Sequence, residues 1–282
     1  MYVWKYGNDK KQDIEKNLRE GNMKEVQEIT KELKKAKIVS IIGKVGTGKT
    51  TLATNIIKDF VTDTKVKRNV VLYSFESFSV ALVSLISKIT NNKLNVFINT
   101  TDFEKDEKIE EKISCGFFYL YDGAGMTIKK LKLEIDNLSK KLKEHKKNID
   151  LIFIDYLQLT YPPTENLFIA TKDKKGEELK ENYADLIKQF ADENLNKVAE
   201  ENIKKLKEIA ENYNIPIIVV TMLSNNKKKE TEQRKIIHKN SDILFELERQ
   251  ENNSILKLTL PNKQTQNINV QFNETLCEFV KK

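Results

Sequence analysis

The chain has 282 residues, of which 39% are hydrophobic, and this is enough apolar material for a sizeable core in one large domain or two small ones. No apolar run approaches the roughly 20 residues that span a bilayer, and the N-terminus lacks a basic stretch followed by an apolar core, so we expect neither membrane insertion nor export. Cys115 and Cys277 lie far apart without metal-ligand spacing, which is typical of reduced thiols in a cytoplasmic protein. The formal net charge of +7 is carried almost wholly by lysine, and it is equally compatible with nucleic-acid binding and with a solvated surface.

Residues 1–37 are predicted to form a helical N-terminal extension or linker, and residues 38–282 a single α/β domain. Met23, Val26, Ile29 and Leu33 recur at helical spacing and form one narrow apolar stripe. Such a stripe usually covers the core of its own domain. The alternative is that it docks on a neighbouring subunit, because nothing else in this segment could bury it.

A strand, a glycine-rich loop and a helix are predicted to follow one another directly after residue 37. A β-branched apolar run passes into the motif Gly43-x-x-x-x-Gly48-Lys49-Thr50 and then into helical spacing. Glycines let backbone N–H groups turn inward around a phosphate, Lys49 is expected to reach the β- and γ-phosphates, and Thr50 to ligate Mg²⁺. A chance glycine loop is the alternative, and it is disfavoured because the chain has only nine glycines. The predicted nucleotide site comprises Gly43, Lys44, Val45, Gly46, Thr47, Gly48, Lys49, Thr50 and Thr51.

Two of the predicted strands end in a carboxylate, Glu76 after residues 69–75 and Asp155 after residues 151–154. Open α/β sheets place their ligands beyond the carboxyl ends of the strands, so Glu76 is a candidate general base. It could equally be a first-turn acid of the helix predicted next. Asp155 has the position of the carboxylate that holds Mg²⁺ through water in phosphate-loop NTPases, and the alternative is an ordinary strand-end aspartate.

The remaining pattern predicts the fold class. A strand at 117–121 precedes a helix from about Thr127, and two further helical patterns, at 179–190 and 195–209, precede a strand at 215–221. Four antiparallel strands are predicted between 243 and 280. Alternating strands and helices with a β-rich end indicate an α/β protein whose mostly parallel sheet carries an antiparallel C-terminal extension.

Several segments resemble the motor domain of DnaB-type replicative helicases. Residues 154–159 (IDYLQL) are similar to the signature after that family's metal-binding strand, and residues 73–77 (YSFES) to its strand ending in the catalytic glutamate. Residues 120–128 (LYDGAGMTI) resemble the turn before its next helix, and residues 206–210 with 215–219 its helix and sensor strand. These segments occur in the family's order along the chain.

The resemblance covers residues 38 to 280 and implies a RecA-like phosphate-loop NTPase that binds ATP and Mg²⁺. Carried over residue by residue, it gives Lys49 and Thr50 the binding of phosphate and Mg²⁺, Glu76 the activation of the attacking water, and Asp155 the support of the metal. The family acts in DNA replication as a hexameric ring, with ATP between subunits and single-stranded nucleic acid in the central channel.

The resemblance also implies nucleic-acid contacts on loops beyond the carboxyl edge of the sheet. Two groups of lysines fit such loops, and their contacts are expected to be electrostatic and without base preference. The alternative is that these lysines form a solvated surface. The candidate residues are Lys172, Lys174, Lys175, Lys227, Lys228 and Lys229.

Three departures from the family pattern bear on function. Family members carry an N-terminal domain that contacts primase, and the 37 residues before the motor are too few to supply it. Met222 aligns with the glutamine that senses the γ-phosphate, and its thioether is no comparable hydrogen-bonding group. Lys263 is the best-placed candidate for the basic residue that the family donates across the subunit interface. A flexible lysine stabilises a transition state less well than an arginine, so slow turnover is expected.

Two functional classes follow from these residues. The first is a ring-forming helicase or translocase whose ATP hydrolysis depends on single-stranded DNA. The second is an accessory or assembly module derived from such a motor, which binds ATP and scarcely hydrolyses it. Intact Lys49, Thr50, Glu76 and Asp155 favour the first class, whereas Met222 favours the second.

Overall fold

The computed structural model describes residues 33, 35–61, 68–74, 95–98, 117–122, 126–155, 157, 183–250, 253–260, 264–273 and 278–281. Within these ranges we number ten strands and four helices in chain order. The strands are β1 (Ile38–Gly43), β2 (Val70–Ser74), β3 (Asn95–Ile98), β4 (Phe117–Asp122), β5 (Leu151–Asp155), β6 (Ile217–Met222), β7 (Ile243–Gln250), β8 (Asn253–Thr259), β9 (Thr265–Asn273) and β10 (Glu278–Lys281). The helices are α1 (Lys49–Val61), α2 (Ile128–Glu144), α3 (Tyr183–Tyr213) and α4 (Lys227–Asn240).

All ten strands belong to one sheet, in the order β10-β9-β8-β7-β1-β6-β5-β2-β4-β3. From β7 to β3 every neighbouring pair is parallel. From β7 to β10 the pairs are antiparallel. The predicted α/β architecture, a mostly parallel sheet with an antiparallel C-terminal extension, is confirmed.

The central strands are apolar throughout because both faces of the sheet are covered. Every residue of β1, β2 and β5 is buried. Successive side chains of a strand point to opposite faces, so Ile41 packs in the core shared with α1, and Ile42 packs in a small cluster with Ile237 of α4. The face opposite α1 also carries α2 and α3, whose buried apolar residues include Leu131, Ile135, Leu142, Ile203, Leu206 and Ala210.

The antiparallel extension completes the core on the α1 side. Its buried residues Leu256, Ile268, Val270 and Phe279 belong to the same cluster as the apolar face of α1. The side-chain amide of Asn55, on α1, also contacts the backbone of Phe279, at 3.5 Å from the carbonyl oxygen or, with the amide turned over, 3.1 Å from the nitrogen. The last strand is therefore packed directly against the helix that follows the glycine-rich loop.

The structure differs from the predicted elements in three places. The edge strand β3 was not predicted, and the two helical patterns after residue 179 belong to one helix, α3, which is 31 residues long. The expectation that Lys227, Lys228 and Lys229 lie on a loop was wrong, because they form the first turn of α4. The side chain of Asn226 caps this helix by accepting hydrogen bonds from the backbone N–H groups of Lys228 and Lys229, at 3.0 and 3.2 Å.

Only the end of the predicted N-terminal segment lies within the described residues. Leu33, the last residue of the apolar stripe, is fully buried in the core on the α1 side. Met23, Val26 and Ile29 lie outside the described residues, so the boundary between residues 37 and 38 stays a prediction. None of the helices in the described ranges is long and apolar enough to cross a membrane.

Candidate nucleotide-binding site

The glycine-rich loop lies at the carboxyl end of a central strand of the sheet. It begins at Gly43, the last residue of β1, and leads into α1 at Lys49. Gly43 pairs in register with Met222 of β6 on one side and with Leu247 of β7 on the other. A strand hydrogen-bonded on both sides is held firmly, so the loop starts from a fixed point in the sheet.

Glycine is required at two positions of the loop for different reasons. Gly48 has a φ of 89°, a conformation that side-chain-bearing residues rarely adopt, and an added Cβ would lie 2.6 Å from Cζ of Phe279. At Gly43 an added Cβ would lie 2.6 Å from the Thr47 hydroxyl and 2.7 Å from the backbone oxygen of Leu247. The loop is therefore compact enough that its backbone, and no side chain, forms the inner wall of a cradle.

The carbonyl oxygen of Lys44 organises the interior of the loop. It accepts hydrogen bonds from the Thr47 hydroxyl at 2.9 Å and from the Lys49 ammonium at 2.7 Å, and the Thr47 backbone N–H lies 3.4 Å from it. These contacts close a turn and hold the Lys49 ammonium across the loop. A cation beside a concave run of backbone N–H groups suits the charge of a polyphosphate.

Thr50 and Asp155 are brought together from different elements. Thr50 lies in the first turn of α1 and Asp155 ends β5, and the Thr50 hydroxyl donates a hydrogen bond of 3.1 Å to the carboxylate of Asp155. Asp155 is only 5% exposed. A hydroxyl and a carboxylate are the hard oxygen donors that Mg²⁺ prefers, so this pair fits the metal that the loop's motif implies.

Two contacts that the sequence did not reveal also hold cations beside the loop. Arg249, near the end of β7, donates to the carbonyl oxygen of Gly46 at 3.4 Å. The Lys44 ammonium lies 3.5 Å from the carboxylate of Glu230 on α4. Arg249 and Gly46 are 203 positions apart in the chain, Lys44 and Glu230 are similarly distant, and no local motif marks either pair.

Glu230 is itself part of a wider ion-pair network. Arg234, one turn further along α4, donates to its carboxylate at 2.8 and 3.2 Å and also pairs with the buried carboxylate of Glu246 on β7. The hydrogen bond from Arg234 is the main cause that lowers the pKa of Glu230 from its ordinary value, and Lys44 adds to it. Glu230 therefore stays ionised beside the loop at neutral pH.

The other predicted site residues fall into two sets. Lys227, Lys228 and Lys229 are exposed on the first turn of α4, the helix that carries Glu230. The remaining candidates lie outside the described residues and stay predictions. They are Glu76, Lys172, Lys174, Lys175 and Lys263.

Comparison with known proteins agrees with the fold and the motif. The profile of the DnaB-like helicase C terminal domain family matches residues 20–244. A protein of Trieres chinensis described as a "Probable replicative DNA helicase" is 27% identical over 218 residues, which are 76% of this chain and 41% of that protein. This chain thus spans about two fifths of that relative's length.

Among solved structures, the ATPase domain of another helicase superposes with a TM-score of 0.53 at 18% identity, covering 87% of this chain and 84% of that chain. At this identity the match establishes the fold, and the predicted RecA-like class is confirmed. The family profile covers most of the chain, including the glycine-rich loop and Asp155. The protein is therefore a member of the DnaB-like helicase C-terminal domain family.

Proposed function

We propose that this protein is an ATP-driven helicase or translocase motor that acts on single-stranded DNA as a ring-shaped oligomer. The observation that carries the proposal is the hydrogen bond between Thr50 and the buried Asp155, because it assembles a Mg²⁺ site at the foot of a phosphate loop. The family supplies the direction of the proposal, but the matched relative extends well beyond this chain. The activity, the substrate and the ring are therefore our own inference.

The residues that would hold MgATP follow from the loop. Backbone N–H groups between Gly43 and Thr51 would surround the phosphates, and Lys49 would exchange its bond to the Lys44 carbonyl for the β- and γ-phosphates. Thr50 would ligate Mg²⁺, and Asp155 would support it through water. When bound, the metal neutralises charge on the phosphates. Cytoplasmic Mg²⁺ and ATP would supply both ligands.

Hydrolysis needs a base, and we retain Glu76 in that role. It follows β2 in sequence by two residues, and the last residue of β2, Ser74, pairs in register with Asp155. A carboxylate can accept the proton of the attacking water, whereas an amide of the same size cannot. Glu76→Gln should therefore bind ATP and fail to hydrolyse it. Normal turnover by this variant would leave Glu76 as a capping acid.

Nucleic acid is proposed to bind Lys172, Lys174 and Lys175 together with the exposed first turn of α4. Lys227, Lys228 and Lys229 project from a capped helix start, which gives them a more fixed position than a loop would. Binding through lysines should weaken steeply with salt and show little sequence preference. Reversing the three charges on α4 should lower affinity for an oligothymidylate at low salt. Unchanged affinity would identify them as solvated surface.

We further propose that turnover is slow and depends on a neighbouring subunit. A basic residue given in trans is worth about 10³–10⁵ in rate in related phosphoryl transfers, and here Lys263 is the proposed donor. Met222 ends β6 beside Gly43, where a thioether cannot donate a hydrogen bond to a γ-phosphate. Turnover should therefore fall in Lys263→Ala and rise in Met222→Gln.

The deciding experiment is steady-state ATP hydrolysis with and without single-stranded DNA, with oligomer size measured on the same samples. We expect DNA-stimulated turnover that appears only at concentrations where the protein assembles. Lys49→Ala is the matched control, because it removes the phosphate-binding ammonium and should abolish nucleotide binding. Rapid turnover by a monomer would contradict the proposal.

A second candidate function is an accessory or assembly module that binds ATP and scarcely hydrolyses it. The position of Met222 beside Gly43 favours this alternative. It predicts tight ATP binding and an oligomer whose hydrolysis stays at background whether or not DNA is present. The same assay therefore separates the two functions.

A further inference from the structure

A chain of ion pairs runs from the phosphate loop through α4 and back to the sheet. The Lys44 ammonium lies 3.5 Å from one carboxylate oxygen of Glu230, and the other oxygen accepts hydrogen bonds from Arg234 at 2.8 and 3.2 Å. Arg234 also pairs with Glu246 on β7. We call these four residues the Glu230 bridge.

The bridge is buried at its sheet end and exposed at its loop end. The side chains of Glu246, Glu230 and Arg234 are 4%, 14% and 27% exposed, whereas that of Lys44 is 52% exposed. Glu246 pairs in register with Ile42, the residue before the loop, so α4 is tied to a rigid part of the sheet. Lys44 is thus the member that can change partner at least cost, because solvent already surrounds half of it.

Glu230 also belongs to the first turn of the helix that presents the lysines. Its backbone N–H donates to the carbonyl of Asn226 at 2.8 Å, and Asn226 in turn caps Lys228 and Lys229. A change in what holds Glu230 therefore acts on the same turn that carries these lysines. The phosphate loop and this turn are connected through one carboxylate.

We propose that Glu230 is a positioning residue that makes nucleotide binding and nucleic-acid binding depend on each other. This inference rests on the proposed function, since it needs a nucleotide at the loop and nucleic acid at α4. A bound triphosphate competes with Glu230 for the Lys44 ammonium, and once Lys44 turns to the phosphates, Glu230 keeps its pairing with Arg234 alone. By thermodynamic linkage, each ligand then changes the affinity of the other by the same factor.

The first test measures competition for Lys44. Glu230→Gln keeps the size of the side chain and an oxygen that accepts from Arg234, and it removes the charge that attracts Lys44. We expect it to tighten binding of a non-hydrolysable ATP analogue by about two- to fivefold, the range expected for one partly exposed ion pair. In a Lys44→Met background the same substitution should have no effect, because the competition no longer exists.

Glu232→Gln is the matched control for this test. It removes the same charge from the same helix, but Glu232 accepts a hydrogen bond of 2.7 Å from Asn196 of α3, on the side of α4 away from the Lys44 contact. We expect it to leave analogue affinity unchanged. An equal gain in Glu232→Gln, or an undiminished gain from Glu230→Gln in the Lys44→Met background, would overturn the proposal in favour of a general charge effect.

The second test measures coupling directly. The dissociation constant of a labelled oligothymidylate is determined with and without the Mg²⁺-bound analogue, and the ratio of the two constants is the coupling factor. Glu230→Gln should bring this factor toward one by about two- to fivefold. Glu232→Gln should keep the wild-type factor, and high salt should reduce the difference between the variants.

The outcomes separate the inference from the function on which it rests. If the wild-type protein binds both ligands and Glu230→Gln keeps the wild-type coupling factor, the role of Glu230 is refuted and the proposed function stands. If the wild-type protein binds the analogue but no oligonucleotide, the nucleic-acid function and the coupling are both refuted. Should Glu230→Gln fail to fold, Lys44→Met replaces it, and an unchanged coupling factor in that variant refutes the proposal.

Discussion

The contact between Gly48 and Phe279 makes a quantitative prediction about the phosphate loop. In Gly48→Ala the new Cβ would lie 2.6 Å from Cζ and 2.8 Å from Cε2 of Phe279, well inside the 3.4 Å at which ordinary van der Waals contact begins. The positive φ of 89° adds a cost of about 1–2 kcal/mol, because a Cβ there crowds the backbone. Overpacking a buried ring adds about 1–3 kcal/mol. We therefore expect Gly48→Ala to lower the free energy of unfolding by about 2–5 kcal/mol.

Gly46→Ala is the matched control for the strain term alone. Its φ is 74°, but nothing lies within 4 Å of the added Cβ among the described residues. It should cost only the backbone term of about 1–2 kcal/mol. The two variants place the same methyl group in the same loop, so the difference between them isolates the clash with Phe279.

Urea unfolding without nucleotide, followed by circular dichroism, measures both terms. Phe279→Ala by itself should cost about 3–5 kcal/mol, because the ring is buried in the core. With the ring gone, Gly48→Ala should cost no more than Gly46→Ala, so the two substitutions should interact by about 1–3 kcal/mol. Additive effects in the double mutant, or equal costs for Gly46→Ala and Gly48→Ala, would refute the contact.

Three further predictions concern single contacts. Asp155→Asn should still accept the hydrogen bond from Thr50 but weaken Mg²⁺ affinity in the presence of ATP by about 10–100-fold, as loss of an outer-sphere carboxylate usually does; a Mg²⁺ titration of nucleotide affinity measures it, and an unshifted curve would exclude a metal role. Arg234 lowers the pKa of Glu230 below 4.5, so the ionised carboxylate stabilises the fold above that pH, and the stability difference from Glu230→Gln should shrink as pH falls below 4.5. Acid denaturation of both proteins tests this, and a pH-independent difference would contradict it. Asn226→Ala should cost about 1 kcal/mol through loss of the helix cap, measured by urea unfolding, and no loss would mean that water replaces the cap.

Local signals in the sequence were sufficient for the loop and for the sheet around it. The run from Ile38 to Thr50 carries its own instructions, because buried strands need continuous apolar residues and a tight phosphate loop needs glycine. Asp155 could be paired with the loop in prediction because carboxyl ends of parallel strands meet at one edge of a sheet. The hydrogen bond to Thr50 makes that pairing physical.

Other features depend on contacts between distant parts of the chain, which no local pattern encodes. Helix α4 was missed because its only buried apolar residue is Ile237, so its face toward the sheet consists largely of polar groups such as Gln233. The cap residue Asn226 was a usable signal for its start. The partners Lys44 and Glu230, or Gly46 and Arg249, lie too far apart in sequence for spacing to relate them. Charged side chains of this kind are interpreted by default as solvated surface.

The packing of β10 against α1 ties the nucleotide site to the order in which the chain is made. The amide of Asn55 and the backbone of Phe279 meet across 224 positions, and the ring of Phe279 also backs Gly48. During translation the phosphate loop leaves the ribosome early, whereas its backing strand emerges much later. A nascent or prematurely terminated chain would thus carry the whole glycine motif with that side of the loop unsupported. Such a chain should be a poor competitor for ATP, which would keep incomplete products from occupying places in an assembly of intact subunits.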